Sequence, residues 1–233
     1  KRQEDITYVN EAKPDYCGFI IEFPKSSRNV TGDQIRTLTA NLHPDIIPVG
    51  VFVNASPERV EELLLDGTIQ IAQLHGQEDE DYIRRIQRNT RHQVIKAFSV
   101  KTTQDIELAL QSPADYILLD QGSGGTGKTF DWSLIPEITR PFFLAGGLRL
   151  ENITEAVSRF HPYALDLSSG VETDGYKDKE KITYIHKGDM TMDKDELLEL
   201  FKQGARMTGE YYKDCIFIID STRDFVYNSY NDV

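Results

Sequence analysis

Apolar positions along this chain fall into two alternating rhythms. Residues 1–12, KRQEDITYVNEA, place Ile6, Val9 and Ala12 on one side of a helix. YCGFII (16–21) is then an unbroken apolar run, the pattern of a strand covered on both faces. Thr31 is an N-cap for the helix DQIRTLTANL, and IIPVGVFV (46–53) is the next strand. SPERVEELLL carries Ser56 at its N-cap, Pro57 at the first helical position and Glu58 in the first turn; Arg59 in the third position denies it a full capping box. The alternation repeats. QIAQLHG (70–76) precedes a charged helix from about Glu78 to Arg88, and QVIKAFS (93–99) precedes TQDIELALQ. DYILLD (115–120) precedes a glycine-rich loop, and PFFLAGG (141–147) precedes LENITEAVSRF. YALDLSSG (163–170) precedes a short helix near Lys177 to Ile185.

Seven buried strands, each trailed by a helix or a loop of helix length, predict a parallel sheet with right-handed crossovers. Over this length they point to a closed (β/α)₈ TIM barrel more than to an open sheet. The rhythm breaks after about Lys187. DKDELLELFKQGARM reads as an amphipathic helix, CIFIID (215–220) as a strand, and the last residues are polar and tyrosine-rich. The chain thus divides into a barrel, residues 1–186, and a C-terminal helix–strand extension, residues 187–233.

Composition narrows the function. With 39% hydrophobic residues, 233 positions suffice for a sizeable core. A net charge of -12 opposes a nucleic-acid backbone or an anionic membrane as main partner, although local amides or one arginine can still hold a small anion. No apolar run approaches the roughly 20 residues that span a bilayer. No signal peptide precedes the first charged residues, and a start at Lys1 without methionine suggests a chain cut from something longer. Cys17 and Cys215 form neither a disulfide framework nor a metal-ligand spacing, which fits a reducing, cytoplasmic compartment.

The segment GSGGTGKT, from Gly122 to Thr129, matches the nucleotide phosphate-loop pattern. That loop works only when its Lys-Thr end opens a helix of several turns. Here Phe130-Asp131-Trp132-Ser133-Leu134-Ile135 runs into Pro136, which removes a helical N–H and clashes with the preceding turn. Asp131 or Ser133 caps a short new helix instead, and the nucleotide reading fails. Asp120, before this loop, ends an apolar strand, and in a barrel that end carries the chemistry. Between an apolar barrel top and a glycine loop, its carboxyl suits a general acid; the plainer alternative is a residue that turns the chain. Gly146-Gly147 follow FFLA and Ser168-Ser169-Gly170 follow ALDL, at the two strand ends where barrels usually bind phosphate. Arg28, in PKSSR, can clamp a carboxylate with its planar fork or remain a solvated loop charge. His75, in QLHG, either borders the site or satisfies a loop carbonyl.

FPKSSRNV, VGVFVNAS, IAQLHG, LLDQGSGGTGKTFDW, LAGGL and DLSSGVETDGYKD occur in this order and at spacings that resemble the phosphoribosylanthranilate isomerase family, a barrel of tryptophan biosynthesis. The resemblance covers residues 1 to about 186. It implies an Amadori rearrangement of N-(5′-phosphoribosyl)anthranilate without metal or cofactor, a small phosphosugar as the partner, and a monomer or homodimer. It casts Asp120 as general acid, Arg28 as the partner of the anthranilate carboxylate, and His75 as a substrate neighbour. The resemblance also implies that Gly146, Gly147, Ser168, Ser169 and Gly170 hold the phosphate and that Gly124, Gly125, Thr126 and Gly127 cover the substrate.

The chain departs from the family in one place. The family's general base is a cysteine in a K-x-C-G motif ending its first strand, and this chain has no such motif. Cys17-Gly18 runs directly into FIIEFPKSSRNV, the family's second strand, so Cys17 is expected in the core. The first strand and its cysteine are therefore expected upstream of Lys1, leaving an inactive piece or a non-catalytic phosphosugar-binding barrel. Alternatively the extension fills the gap, delivering CIFIID between the last and first visible strands with Asp220 at its end. A neighbouring pathway barrel, indole-glycerol-phosphate synthase, would need lysine-rich strand ends, and Lys96 is one such lysine only.

Overall fold

In the computed structural model, which describes residues 1–121, 129–187 and 216–219, the alternation is realised element by element. α1 (Gln3–Ala12) leads to β1 (Tyr16–Ile20), α2 (Gly32–Thr39), β2 (Ile47–Phe52), α3 (Pro57–Leu65) and β3 (Ile71–Leu74). Next come α4 (Glu80–Thr90), β4 (Gln93–Ser99), α5 (Thr103–Gln111) and β5 (Tyr116–Asp120). A 3-10 turn, Trp132–Leu134, precedes β6 (Phe142–Leu144), α6 (Ile153–Phe160) and β7 (Ala164–Leu167). A second 3-10 turn, Ser169–Val171, opens onto a hairpin of β8 (Glu172–Thr173) and β9 (Tyr176–Lys177). α7 (Lys179–Lys187) and β10 (Ile216–Ile219) complete the described elements.

Strands β1 to β7 pair in chain order, all parallel, and β10 lies between β7 and β1, so the ring is a closed barrel. Tyr16 stands beside Phe217 and Gly18 beside Ile219 on one edge of β10; Leu165 stands beside Ile216 and Leu167 beside Ile218 on the other. Helices cover the outside, which is why these strands read as continuous apolar runs instead of alternating ones.

Inside the ring, Val49, Val51, Ile71, Ile95, Leu118 and Ala164 form the filling. Its lower layer is aromatic. Tyr116 stacks on Tyr163 with ring centres 5.0 Å apart, and Phe143 meets Tyr116 and Tyr16 edge-on at 5.4 and 5.7 Å. The hydroxyls of Tyr16 and Tyr163 lie 3.1 Å apart, within hydrogen-bond distance in a part-buried layer. Outside, Phe19, Phe52 and Leu74 pack under Ile35, Val60, Leu63 and Ile83 of the helices. Cys17 belongs to this outer layer, as a mid-strand core residue should.

Local chemistry sets most helix starts. Thr31 accepts from the Gln34 N–H while its own N–H donates to Gln34 Oε1, a reciprocal capping box. α3 begins at Pro57 as expected, but the Ser56 side chain makes no capping bond. α4 begins later than expected, at Glu80, because Asp79 takes the cap by accepting from the Tyr82 N–H at 2.8 Å. That leaves Glu78 outside the helix with its carboxylate buried. α7 also starts later, at Lys179, since Lys177 belongs to a hairpin whose Asp174-Gly175 turn has φ of 53° and 78°. After Thr129 only the single turn Trp132–Leu134 forms, with Asp131 accepting from the Ser133 N–H at 2.9 Å. The long helix that a nucleotide phosphate loop requires does not follow.

Candidate active site

Asp120 ends β5 two residues beyond the inward-facing Leu118, so strand periodicity aims its side chain over the barrel mouth. It is 9% exposed. Its Oδ1 accepts from the Gln121 N–H at 2.7 Å, and its Oδ2 lies 3.4 Å from His75 Nε2. His75 leaves the end of β3 with its backbone N–H donating to the Phe52 carbonyl at 2.8 Å. From below, Gln73 Nε2 lies 3.2 Å from His75 Nδ1. Where the Gln73 amide donates, Nδ1 accepts and the ring proton sits on Nε2, facing the carboxylate.

The first small-residue turn closes on this pair, and the second packs against the loop that follows the first. Gly146 has φ +84°, and a Cβ there would lie 2.6 Å from Asp120 Oδ1 and 2.7 Å from the Gln121 nitrogen. Only a residue without a side chain lets the loop after β6 close on that carboxylate. Gly170 performs the same service for the loop after β7, since its Cβ would meet the Leu148 carbonyl at 2.1 Å. The strand ends of β5, β6 and β7 thus share one rim, with Asp120, Gly146, Gly147, Ser168, Ser169 and Gly170 on it. Gly146→Ala is expected to cost about 1–2 kcal/mol from the left-handed backbone alone, and more as Asp120 is displaced. Thermal unfolding measures the loss, and an unchanged Tm would refute the close approach.

Arg28, from the loop after β1, pairs with Glu172, just past the second 3-10 turn that follows β7. Lys177 Nζ binds the same carboxylate at 3.2 Å and donates to the Ser168 carbonyl at 3.1 Å. All three side chains are under a tenth exposed. Two cations thus share one carboxylate beside the Ser168–Gly170 turn. Glu172 and Lys177 were not singled out from the sequence. The Asp-Gly of VETDGYKD is a hairpin signal, and the hairpin is what turns both side chains onto Arg28.

Lys96 is placed elsewhere. Its ammonium donates to the Gly76 carbonyl at 2.6 Å and to Glu78 Oε2 at 2.9 Å, away from Asp120. Burial pushes it below the ordinary lysine range, against the opposing pull of Glu78. Gly124, Gly125, Thr126, Gly127, Cys215 and Asp220 lie outside the described residues.

Comparison with known proteins adds an independent line. A family model for N-(5′-phosphoribosyl)anthranilate isomerase matches residues 1–187. A protein of that name from Endomicrobium trichonymphae is 46% identical over 186 residues, spanning 78% of this chain and 90% of its own length. The crystal structure of phosphoribosyl anthranilate isomerase from Thermus thermophilus superposes with a TM-score of 0.71 at 32% identity, covering 80% of this chain and 93% of that one. A further structure, of a phosphoribosyl anthranilate isomerase in complex with reduced 1-(o-carboxyphenylamino)-1-deoxyribulose 5-phosphate, gives 0.66 at 34% identity over 80% and 92% of the two chains. On the extent of the family match, the identity of these relatives and a shared barrel, this chain belongs to the phosphoribosylanthranilate isomerase family.

Proposed function

We propose that this chain catalyses the Amadori rearrangement of N-(5′-phosphoribosyl)anthranilate to 1-(2-carboxyphenylamino)-1-deoxyribulose 5-phosphate, a step of tryptophan biosynthesis. The observation that carries this reading is a nearly buried Asp120 carboxyl, enclosed by Gly146 and faced by His75, on the rim that also bears the two small-residue turns. In the reaction, Asp120 gives its proton to the ribose ring oxygen, the bond from that oxygen to the anomeric carbon breaks, and a Schiff base forms. Loss of the proton on the neighbouring carbon then yields an enolamine, which becomes the ketone without net change of composition. Arg28 meets the anthranilate carboxylate. The amides of Gly146, Gly147, Ser168, Ser169 and Gly170 take the phosphate, and Gly124, Gly125, Thr126 and Gly127 cover the sugar. A relative's complex with the reduced product analogue supports this substrate class.

Proton removal is the step for which the described rim offers no cysteine, since Cys17 lies in the outer layer. This favours a second reading, a phosphosugar-binding barrel without turnover. One assay separates them: conversion of N-(5′-phosphoribosyl)anthranilate by the chain as given and by the chain with a K-I-C-G-L segment joined before Lys1. Turnover in either form supports the isomerase. Binding of the reduced product analogue with turnover in neither supports the binder.

The extension, residues 187–233, serves in this reading to complete the barrel through Ile216–Ile219. Its support is the parallel pairing of β10 with both β1 and β7, which removes two open sheet edges. A chain ending at residue 187 is expected to lose hydrogen-exchange protection along β1 and β7 while β3 and β4 keep theirs. Equal protection in the two chains would mean that the extension has another task.

A further inference from the structure

On the helix side of the barrel, behind the rim, Lys96 and Glu78 form an ion pair 2.9 Å long, their side chains 7% and 1% exposed. A buried pair of this kind adds little net stability over well-packed apolar residues of similar volume. What it does here is hold peptide groups. Glu78 accepts from the Gly76 N–H at 2.9 Å and the Asn54 N–H at 2.7 Å. Lys96 donates to the Gly76 carbonyl at 2.6 Å and to the Leu74 carbonyl at 3.4 Å. The residue between Leu74 and Gly76 is His75. The backbone on both sides of the imidazole is therefore tied to a charge that cannot move without unpairing, and its own N–H is tied to β2. From that fixed turn the ring spans from β3 to Asp120 on β5, two strands away.

We propose that the buried Lys96–Glu78 pair is a positioning device, locking the turn between β3 and α4 so that His75 holds the Asp120 carboxyl in its reacting orientation. This deepens, and rests on, the reading of Asp120 as the proton donor. Neither Lys96 nor Glu78 touches substrate; both act through His75. Without Lys96, Glu78 keeps its two backbone donors but loses its cation, the Gly76 and Leu74 carbonyls lose theirs, and the turn relaxes. A displacement of about 1 Å at a reacting group lowers turnover on the order of 10²-fold.

The test uses the full chain and two readouts. The first is the ring-nitrogen NMR signal of His75, compared with and without Asp120→Asn. In the parent protein that substitution is expected to shift the signal; in the Lys96→Met background it is expected to leave the signal unmoved, because the contact is already lost. A full shift in the Lys96→Met background overturns the proposal. If Lys96→Met does not fold, Glu78→Gln, which keeps the shape of the side chain, decides in the same way. The second readout is kinetic. Lys96→Met is expected to lower kcat on the order of 10²-fold with KM within about twofold, and to add no further loss when His75 is already Asn. Losses that multiply instead show a merely structural residue and overturn the proposal. Absence of turnover both in the parent protein and in the form carrying the K-I-C-G-L segment refutes the isomerase reading alone, since the NMR comparison still decides the positioning role.

Discussion

Replacing Asp120 by Asn is expected to lower kcat for the rearrangement by about 10²–10⁴-fold, the range that a positioned proton donor contributes. Asn has the same shape, so Oδ1 continues to accept from the Gln121 N–H and the close contact with Gly146 is kept. Stability should fall by about 1–3 kcal/mol, because the amide turns an N–H toward His75 Nε2 where the carboxylate offered an oxygen. What Asn cannot do is surrender a proton to the ribose ring oxygen. The comparison to make is steady-state turnover beside urea unfolding of the same two proteins. Equal kcat would remove Asp120 from the chemistry. A larger loss of stability would instead show that its charge, and not its proton, is what the rim depends on.

The second large effect is expected at Glu172. Glu172→Gln removes the carboxylate that the buried Arg28 and Lys177 share. Arg28 cannot shed its proton, so the two cations repel each other in a site with little water. Breaking a buried pair by removing one partner costs about 3–5 kcal/mol. Arg28→Met should cost less, because Lys177 still neutralises Glu172. The order of the two losses is the informative quantity, read from urea midpoints at unchanged slope. If Arg28→Met proved the more damaging, the guanidinium would matter through its packing instead of its charge.

Much of the architecture could be read directly because each strand is covered on both faces. Burial on both faces demands unbroken apolar runs, and the helices between them demand a period near 3.6. Those two constraints act on adjacent residues, so they are visible one segment at a time. Thr31, Pro57 and Asp131 were legible for the same reason: a cap or a turn is settled within about four residues. Where the expectation slipped, a competing local group won. Asp79 took the cap of α4 and released Glu78, and the Asp174-Gly175 turn took Lys177 into a hairpin. The phosphate-loop pattern shows the converse, a perfect local match without the helix that gives it meaning.

What the amino-acid order determined alone was the run of elements and the strand ends at which Asp120, His75, Arg28 and the glycine turns appear. Partners across the rim were decided by the tertiary structure. Nothing near position 28 in the chain announces Glu172, and nothing near His75 announces the oxygen of Asp120. The physical reason is that periodicity and capping are contests among neighbours a few residues apart. Ion pairs across the rim join groups dozens of residues apart, and only the packed barrel brings them within reach.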